Sequence, residues 1–284
     1  MNVLVLGASG MLGSAVFRVL SEDKRLKVFG TVRDEVSKKL IGATLSDMVL
    51  AGVDVEQQDL LINVFNRVCP EVVINCVGLI KQLSSVIDPL QTIPINSLLP
   101  HQLSYLCEMG GARLIHISTD CVFDGRKGGY TESDCFDAKD LYGLSKYLGE
   151  VSGSHAITLR TSIIGHELKC PQSLVDWFLS QKKRCNGYTK AVFSGLPTVV
   201  LSQIIRDIVI PRKELSGLYH IAAKPINKYE LLKLIAKTYG KSVHITPDDS
   251  LDINRSLNAD KFTYATGYVA PEWPDLIRTM HDYG

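Results

Sequence analysis

The chain has 284 residues, 45% hydrophobic and 21% charged, an ordinary globular composition that excludes a disordered chain, a collagen and a coiled coil. Its 31 basic and 30 acidic residues leave a net charge of +1, which argues against bulk electrostatic binding to nucleic acid or to a membrane. No apolar run is long enough to span a bilayer, and the seven cysteines form no Cys-x-x-Cys pair, so they read as reduced thiols of a cytoplasmic protein with no metal site.

Asn2–Leu6 (NVLVL) is a short β-rich run that leads directly into Gly7-Ala8-Ser9-Gly10-Met11-Leu12-Gly13. From Gly10 to Leu20 the apolar residues Leu12, Val16 and Val19 follow helical spacing. Glycines between a strand and a helix have a physical task. They permit a tight turn, close approach of backbone to a pyrophosphate, and close packing of helix on strand. The helix N-terminus adds free N–H groups and the positive end of the dipole. Gly7, Ser9, Gly10, Met11, Leu12 and Gly13 are therefore candidate phosphate-binding residues of a dinucleotide site. Lys27–Val32 (KVFGTV) predicts a second strand, whose end selects the cofactor. NAD binders place an acid there for the ribose 2′-hydroxyl, and NADP binders a cation for the 2′-phosphate. Arg33 stands at that end and Asp34 one step late, so NADP is expected, with NADPH preferred over NADH. Asp59-Leu60, after the apparent third strand position, are candidates to cap the adenine.

Val72–Val77 (VVINCV) and Arg113–Ser118 (RLIHIS) predict further strands, with helical periodicity over Asn96–Met109 between them. Nearly continuous apolar strands alternating with helices imply a parallel sheet covered on both faces, a Rossmann-like doubly wound α/β fold. A helix is predicted over Leu141–Val151, and Tyr142 and Lys146 share one of its faces. A lysine so placed can lower the phenol pKa from about 10 and can hydrogen-bond a ribose. Ser118-Thr119-Asp120 follow a strand at the C-terminal edge, where such sheets bind ligands. Together these residues describe a hydride-transfer site, with a nicotinamide as carrier, the tyrosine as proton donor and a hydroxyl orienting the carbonyl. After residue 165 the alternation loosens. Ser173–Gln181, Ser202–Val209 and Lys228–Tyr239 predict helices among proline-bearing loops. Residues 1–165 are read as the cofactor-binding and catalytic domain. Residues 166–284 are read mainly as a smaller α/β substrate lobe, with the chain free to cross between them.

The glycine turn, Asn75-Cys76-Val77-Gly78, the Ser118-Thr119-Asp120 edge and Tyr142 with Lys146 resemble an extended short-chain dehydrogenase/reductase. Ser118–Gly125 (STDCVFDG) is similar to the S-T-D-Y-V-F-D-G signature of the dTDP-4-dehydrorhamnose reductase group. Leu159-Arg160-Thr161-Ser162 resembles that group's L-R-T-S strand, and Ile95-Asn96 with Pro100 resembles its helix carrying a structural asparagine. Gly195-Leu196-Pro197-Thr198 is similar, more loosely, to its G-x-P-T segment. The resemblance implies an NADPH-dependent reductase of the 4-keto group of a nucleotide-diphospho-4-keto-6-deoxy sugar, serving cell-surface polysaccharide synthesis. It implies that Tyr142 protonates the sugar oxygen, and that Lys146 binds the nicotinamide ribose and lowers the Tyr142 pKa. It also implies that Thr119 hydrogen-bonds the sugar, that Ser118 lines the nicotinamide pocket and that Asn96 supports a proton relay. Cys76, Val77 and Gly78 would border the inner ribose, while Asp120, Ile163 and Thr198 would line the sugar site.

There are departures from the group's pattern. Cys121 replaces a tyrosine, and Ile163 replaces a substrate-stacking tryptophan. With the insertion-like Leu79–Asp88 stretch and its Lys81, they suggest other sugar contacts, and a UDP-linked amino sugar fits as well as a dTDP-linked one. An epimerase or dehydratase of the same superfamily is an alternative, although Asp120-Cys121 offers one acid where a dehydratase typically has two. A non-catalytic NADP-binding regulatory subunit is another. A nucleotide-diphospho-sugar is the expected partner, with no nucleic acid and no membrane; a homodimer is left open. Lys182-Lys183-Arg184 reads as a solvated helix end, His116 and His220 as core histidines, and Trp177-Phe178 as core between lobes. Ser118 with His116 and Asp120 lacks the G-x-S-x-G elbow of a hydrolase.

Overall fold

The computed structural model describes residues 1–79, 88–168 and 173–284. Lys81 and most of the Leu79–Asp88 stretch lie outside the described residues. The main sheet contains β1 (Asn2–Leu6), β2 (Lys27–Thr31), β3 (Val49–Leu50), β4 (Val72–Asn75), β5 (Arg113–Thr119), β6 (Ala156–Thr161) and a seventh strand, Gly217–His220. Their order is seventh strand, β6, β5, β4, β1, β2, β3, and every pairing is parallel. All residues of β4 and β6 are buried, as are Val3 to Leu6 of β1, which a parallel sheet covered on both faces requires.

The chain steps from β1 to β2 and β3 on one side, then returns to β4 on the other. The reversal falls between β1 and β4, and the crevice outside their carboxyl ends is where such sheets bind ligands. Helix Met11–Ser21 covers this region. Its fully buried Phe17, which contributes about 1.5–3 kcal/mol of burial, lies against Gly30.

The later part of the chain returns to the main sheet. Gly217–His220 pairs with β6, from Gly217 opposite Ile157 to His220 opposite Arg160. Helices Thr198–Ile204 and Trp273–Tyr283 bury Leu201, Ile204, Leu276 and Ile277 in the cluster that holds Val3, Val16 and Phe17. A boundary at residue 165 therefore divides the sequence but not the core. The remaining short strands form small separate pairings, such as Arg184–Tyr188 with His244–Asp248. His116 and His220 are fully buried, as expected of core histidines. Phe178 is also core, but Trp177 is 39% exposed, because only one of two neighbouring helical residues can face inward. The 182–184 basic run is exposed.

Candidate active site

The glycine turn is built from backbone. Gly7 adopts a positive φ of 79°, which a glycine tolerates without strain. Its carbonyl accepts the Gly10 N–H at 3.0 Å, and the Ala8 N–H reaches Thr31 O at 3.0 Å, tying the turn to β2. The helix then starts at Met11, with Gly10 as a cap that offers no side chain and no acid in the first turn. The first intrahelical bond is Ser14 N–H to Gly10 O, so the N–H groups of Met11, Leu12 and Gly13 precede the helix's own pairing. A Cβ on Gly7 would lie 3.0 Å from Val77 Cγ2, which places the Val77-Gly78 turn after β4 directly beside the glycine turn. This cradle, uncapped and free of acids, fits a dinucleotide pyrophosphate.

At the far end of β2, Arg33 is exposed, and among the described residues it has no protein partner. Asp34 is committed elsewhere: its Oδ1 accepts the Ser37 N–H at 2.6 Å and the Ser37 hydroxyl at 2.7 Å, capping helix Glu35–Lys39. Asp59 is exposed in the first turn of helix Gln58–Val68, with Leu60 behind it. The segment that follows β3 instead carries Asp54-Val55, and the Val53 N–H donates to Val32 O at 3.1 Å beside Arg33. Periodicity did not locate this segment, because β3 is only two residues long.

Thr119 ends β5, and its hydroxyl accepts the Cys121 N–H at 3.1 Å, capping the short turn Asp120–Val122. Helix Leu141–Leu148 packs on that turn through Gly143, where a Cβ would lie 2.3 Å from Cys121 O. The close approach brings the Tyr142 phenol near the Thr119 hydroxyl, which acts to lower the phenol against its burial. Thr119 is 8% exposed and Lys146 6%.

Burial, followed by Cys121, holds the Tyr142 phenol above its ordinary value, where a lowering by Lys146 is expected from the sequence. Lys146 itself donates to Ile117 O at 2.8 Å, and its own burial pushes its ammonium down to about 8. Asn96 sits fully buried in the π-turn Pro94–Leu98 and clamps the loop after β4. Its Oδ1 accepts the Leu79 N–H at 2.9 Å, and its Nδ2 donates to Leu79 O at 3.1 Å and to Ser145 Oγ at 3.2 Å. No Asn96 bond to Lys146 is seen among the described residues. Cys76 lies in that loop, and burial pushes its thiol up to about 12. Ser118 turns its hydroxyl to Glu150 at 2.7 Å.

Beyond Thr119, burial raises the Asp120 carboxyl, and the charge of Arg255 opposes that rise. Arg255 donates to Phe123 O at 2.7 Å and approaches Cys121 Sγ at 3.9 Å. Lys228, at the start of helix Lys228–Thr238, has its ammonium lowered by burial, while Asp120 pulls the other way. Arg255 also lines an open cleft of about 400 Å³ with Asp124, Arg126, Ala138, Lys139 and Asp140. Sequence reasoning missed Arg255 and Lys228. Lys228 opens a predicted helix and Arg255 lies in none, both far along the chain from the motifs, and only the fold brings them near Asp120. Ile163 is partly buried in the strand Ile163–Ile164, which pairs with Leu196–Pro197. Thr198, 6% exposed, packs against Gly165, where a Cβ would lie 2.5 Å from its hydroxyl.

The profile of the RmlD substrate binding domain matches residues 1–266. The methionine adenosyltransferase 2 subunit beta of Danio rerio is 26% identical over 261 residues, covering 87% of this chain and 76% of that protein. A dTDP-4-dehydrorhamnose reductase of Aggregatibacter actinomycetemcomitans is 24% identical over 310 residues, covering 99% of each. Among solved structures, the dTDP-4-dehydrorhamnose reductase of Bacillus anthracis in complex with NADP superposes with a TM-score of 0.81 at 20% identity, covering 99% of each chain.

Proposed function

The chain belongs to the family of the RmlD substrate binding domain, and from that premise we propose that it is an NADPH-dependent reductase of a nucleotide-diphospho-4-keto-6-deoxy sugar. The observation that carries the reading is the buried set at the carboxyl end of β5: Thr119 at the strand's end, and helix Leu141–Leu148 packed through Gly143 on the turn beyond it, with Tyr142 and Lys146 one helical turn apart. The Gly7–Gly13 cradle would hold the pyrophosphate, Val77 and Gly78 the inner ribose, and Arg33 the 2′-phosphate. When bound there, the dinucleotide supplies the hydride.

The chain's own residues supply the rest. Tyr142, with its phenol held above the ordinary value, is fully protonated at neutral pH and donates to the sugar oxygen. Thr119 orients that oxygen. Lys146, mostly an ammonium below about pH 8, compensates the charge that Tyr142 acquires. Arg255 and Lys228 offer positive charge to the substrate's diphosphate.

The test is a panel of nucleotide-linked 4-keto-6-deoxy sugars, with UDP and dTDP carriers, assayed with NADPH and with NADH. Net NADPH consumption with one of them supports the reading. Sugar isomerisation without consumption would indicate an epimerase. A second reading, a nucleotide-binding subunit without chemistry, is favoured by the alignment with a subunit beta over 87% of the chain; NADPH binding with no turnover of any sugar would indicate it.

Two expectations belong to the cofactor. Replacing Arg33 by alanine should raise the KM for NADPH about 10–100-fold and leave that for NADH unchanged, the usual worth of a charge-assisted phosphate contact. Equal effects on both would remove Arg33 from the 2′-phosphate. Because Lys146 loses its proton as pH rises through about 8, NADPH affinity should weaken between pH 7 and pH 9, measured by fluorescence titration.

A further inference from the structure

An acid at the end of β2 is what an NAD site offers to the ribose 2′-hydroxyl, and a cation is what an NADP site offers to the 2′-phosphate. This chain places one of each there, Arg33 and Asp34. Adjacent charges of opposite sign would cancel in front of a phosphate. The structure separates their tasks. Arg33 is exposed, whereas the Asp34 carboxylate is fastened to the helix that it precedes, Glu35–Lys39. Its Oδ1 accepts the Ser37 N–H at 2.6 Å and the Ser37 hydroxyl at 2.7 Å. Ser37 is only 1% exposed, so its hydroxyl is packed in place.

Capping alone does not call for the second bond. An N-cap carboxylate serves a helix by accepting one N–H of the first turn, and the Ser37 N–H already fills that role. The Lys38 N–H closes the same turn on the Asp34 carbonyl at 3.2 Å. The hydroxyl therefore adds a hold on the carboxylate rather than on the helix.

We propose that Ser37 is a positioning residue that sets cofactor choice: it keeps the Asp34 carboxylate on the helix, so that Arg33 alone sets the charge offered to the 2′-phosphate. The proposal rests on the reading that Arg33 meets the 2′-phosphate of NADPH. The test is a pair of binding titrations, with NADPH and with NADH, read from the fluorescence of the reduced nicotinamide and needing no sugar. Ser37→Ala should weaken NADPH binding by about 3–10-fold and leave NADH binding unchanged or tighter. Ser37→Thr, which keeps a hydroxyl, should match wild type. Asp34→Asn keeps the cap, since asparagine and aspartate cap alike, and removes the charge. Alone it should change NADPH affinity by less than about twofold, and in D34N/S37A it should restore what Ser37→Ala loses. The other charges on the helix, Glu35, Lys38 and Lys39, are the same in every variant. Wild-type selectivity in Ser37→Ala overturns the proposal. A loss that persists in D34N/S37A overturns it too, because a loosened helix would then suffice. So does tighter NADPH binding in Asp34→Asn alone, which would mean that the carboxylate already acts on the phosphate. A wild-type chain that binds NADH as tightly as NADPH overturns the NADPH reading and the proposal with it, whereas the other outcomes overturn the role of Ser37 alone.

Discussion

Replacing Tyr142 by phenylalanine is expected to lower turnover about 10²–10⁴-fold, the usual worth of a positioned general acid, while NADPH binds as before. The separation of the two effects follows from the geometry. The Tyr142 phenol lies near Thr119, whereas the proposed phosphate cradle is the Met11 to Gly13 backbone on the other side of the β1–β4 switch point. Removing one hydroxyl leaves Gly143 packed on the Asp120–Val122 turn, so the helix should not move. The KM for NADPH should therefore stay within a few fold while kcat falls. The measurement is steady-state NADPH oxidation with the best sugar of the panel, together with a binding titration. Turnover near wild type would show that another group delivers the proton, and Thr119 would then have no acid beside it.

The parts of this arrangement that could be read from the sequence are those carried by local pattern. Val3 to Leu6 followed by Gly7, Gly10 and Gly13 joins an apolar run to a turn whose chemistry is set by a few adjacent residues, and the structure repeats it nearly residue for residue. Tyr142 and Lys146 share a helix face because four residues make about one turn, but spacing alone does not say where a flexible amine points. Lys146 turns to Ile117 O, a partner on β5 that the spacing does not name. β3, two residues long, is too short to show a period, so the sequence points to Asp59 where Asp54 follows the strand. Gly217–His220, with one fully buried residue, gives too weak an apolar signal to be seen as a strand of the main sheet. Glu150 with Arg160, and Asp120 with Arg255, are joined across the fold, and no periodicity connects them.

Gly13→Ala is expected to unseat the cofactor without touching the catalytic residues. A Cβ at Gly13 would lie 2.0 Å from Gly7 O, 2.8 Å from Gly7 C and 3.3 Å from Ala8 Cα, all of them backbone. No rotamer change can relieve such a contact, so the first turn of the helix must lift away from the end of β1. It cannot lift freely, because Phe17 is fully buried one turn further along. The overpacking should cost about 1–3 kcal/mol, lowering Tm by roughly 3–10 °C. The displaced N–H groups of Met11 to Gly13 should weaken NADPH binding by about tenfold or more, since a phosphate contact of this kind is worth roughly 1.5–3 kcal/mol. Gly10→Ala is the control. Its φ of −78° suits any residue, and a Cβ there would lie 3.4 Å from Gly7 O, an ordinary contact. It should therefore keep Tm close to wild type. If Gly13→Ala matched wild type in both measurements, the close packing of the helix on the glycine turn would not govern phosphate binding, and the third glycine would be a turn residue like any other.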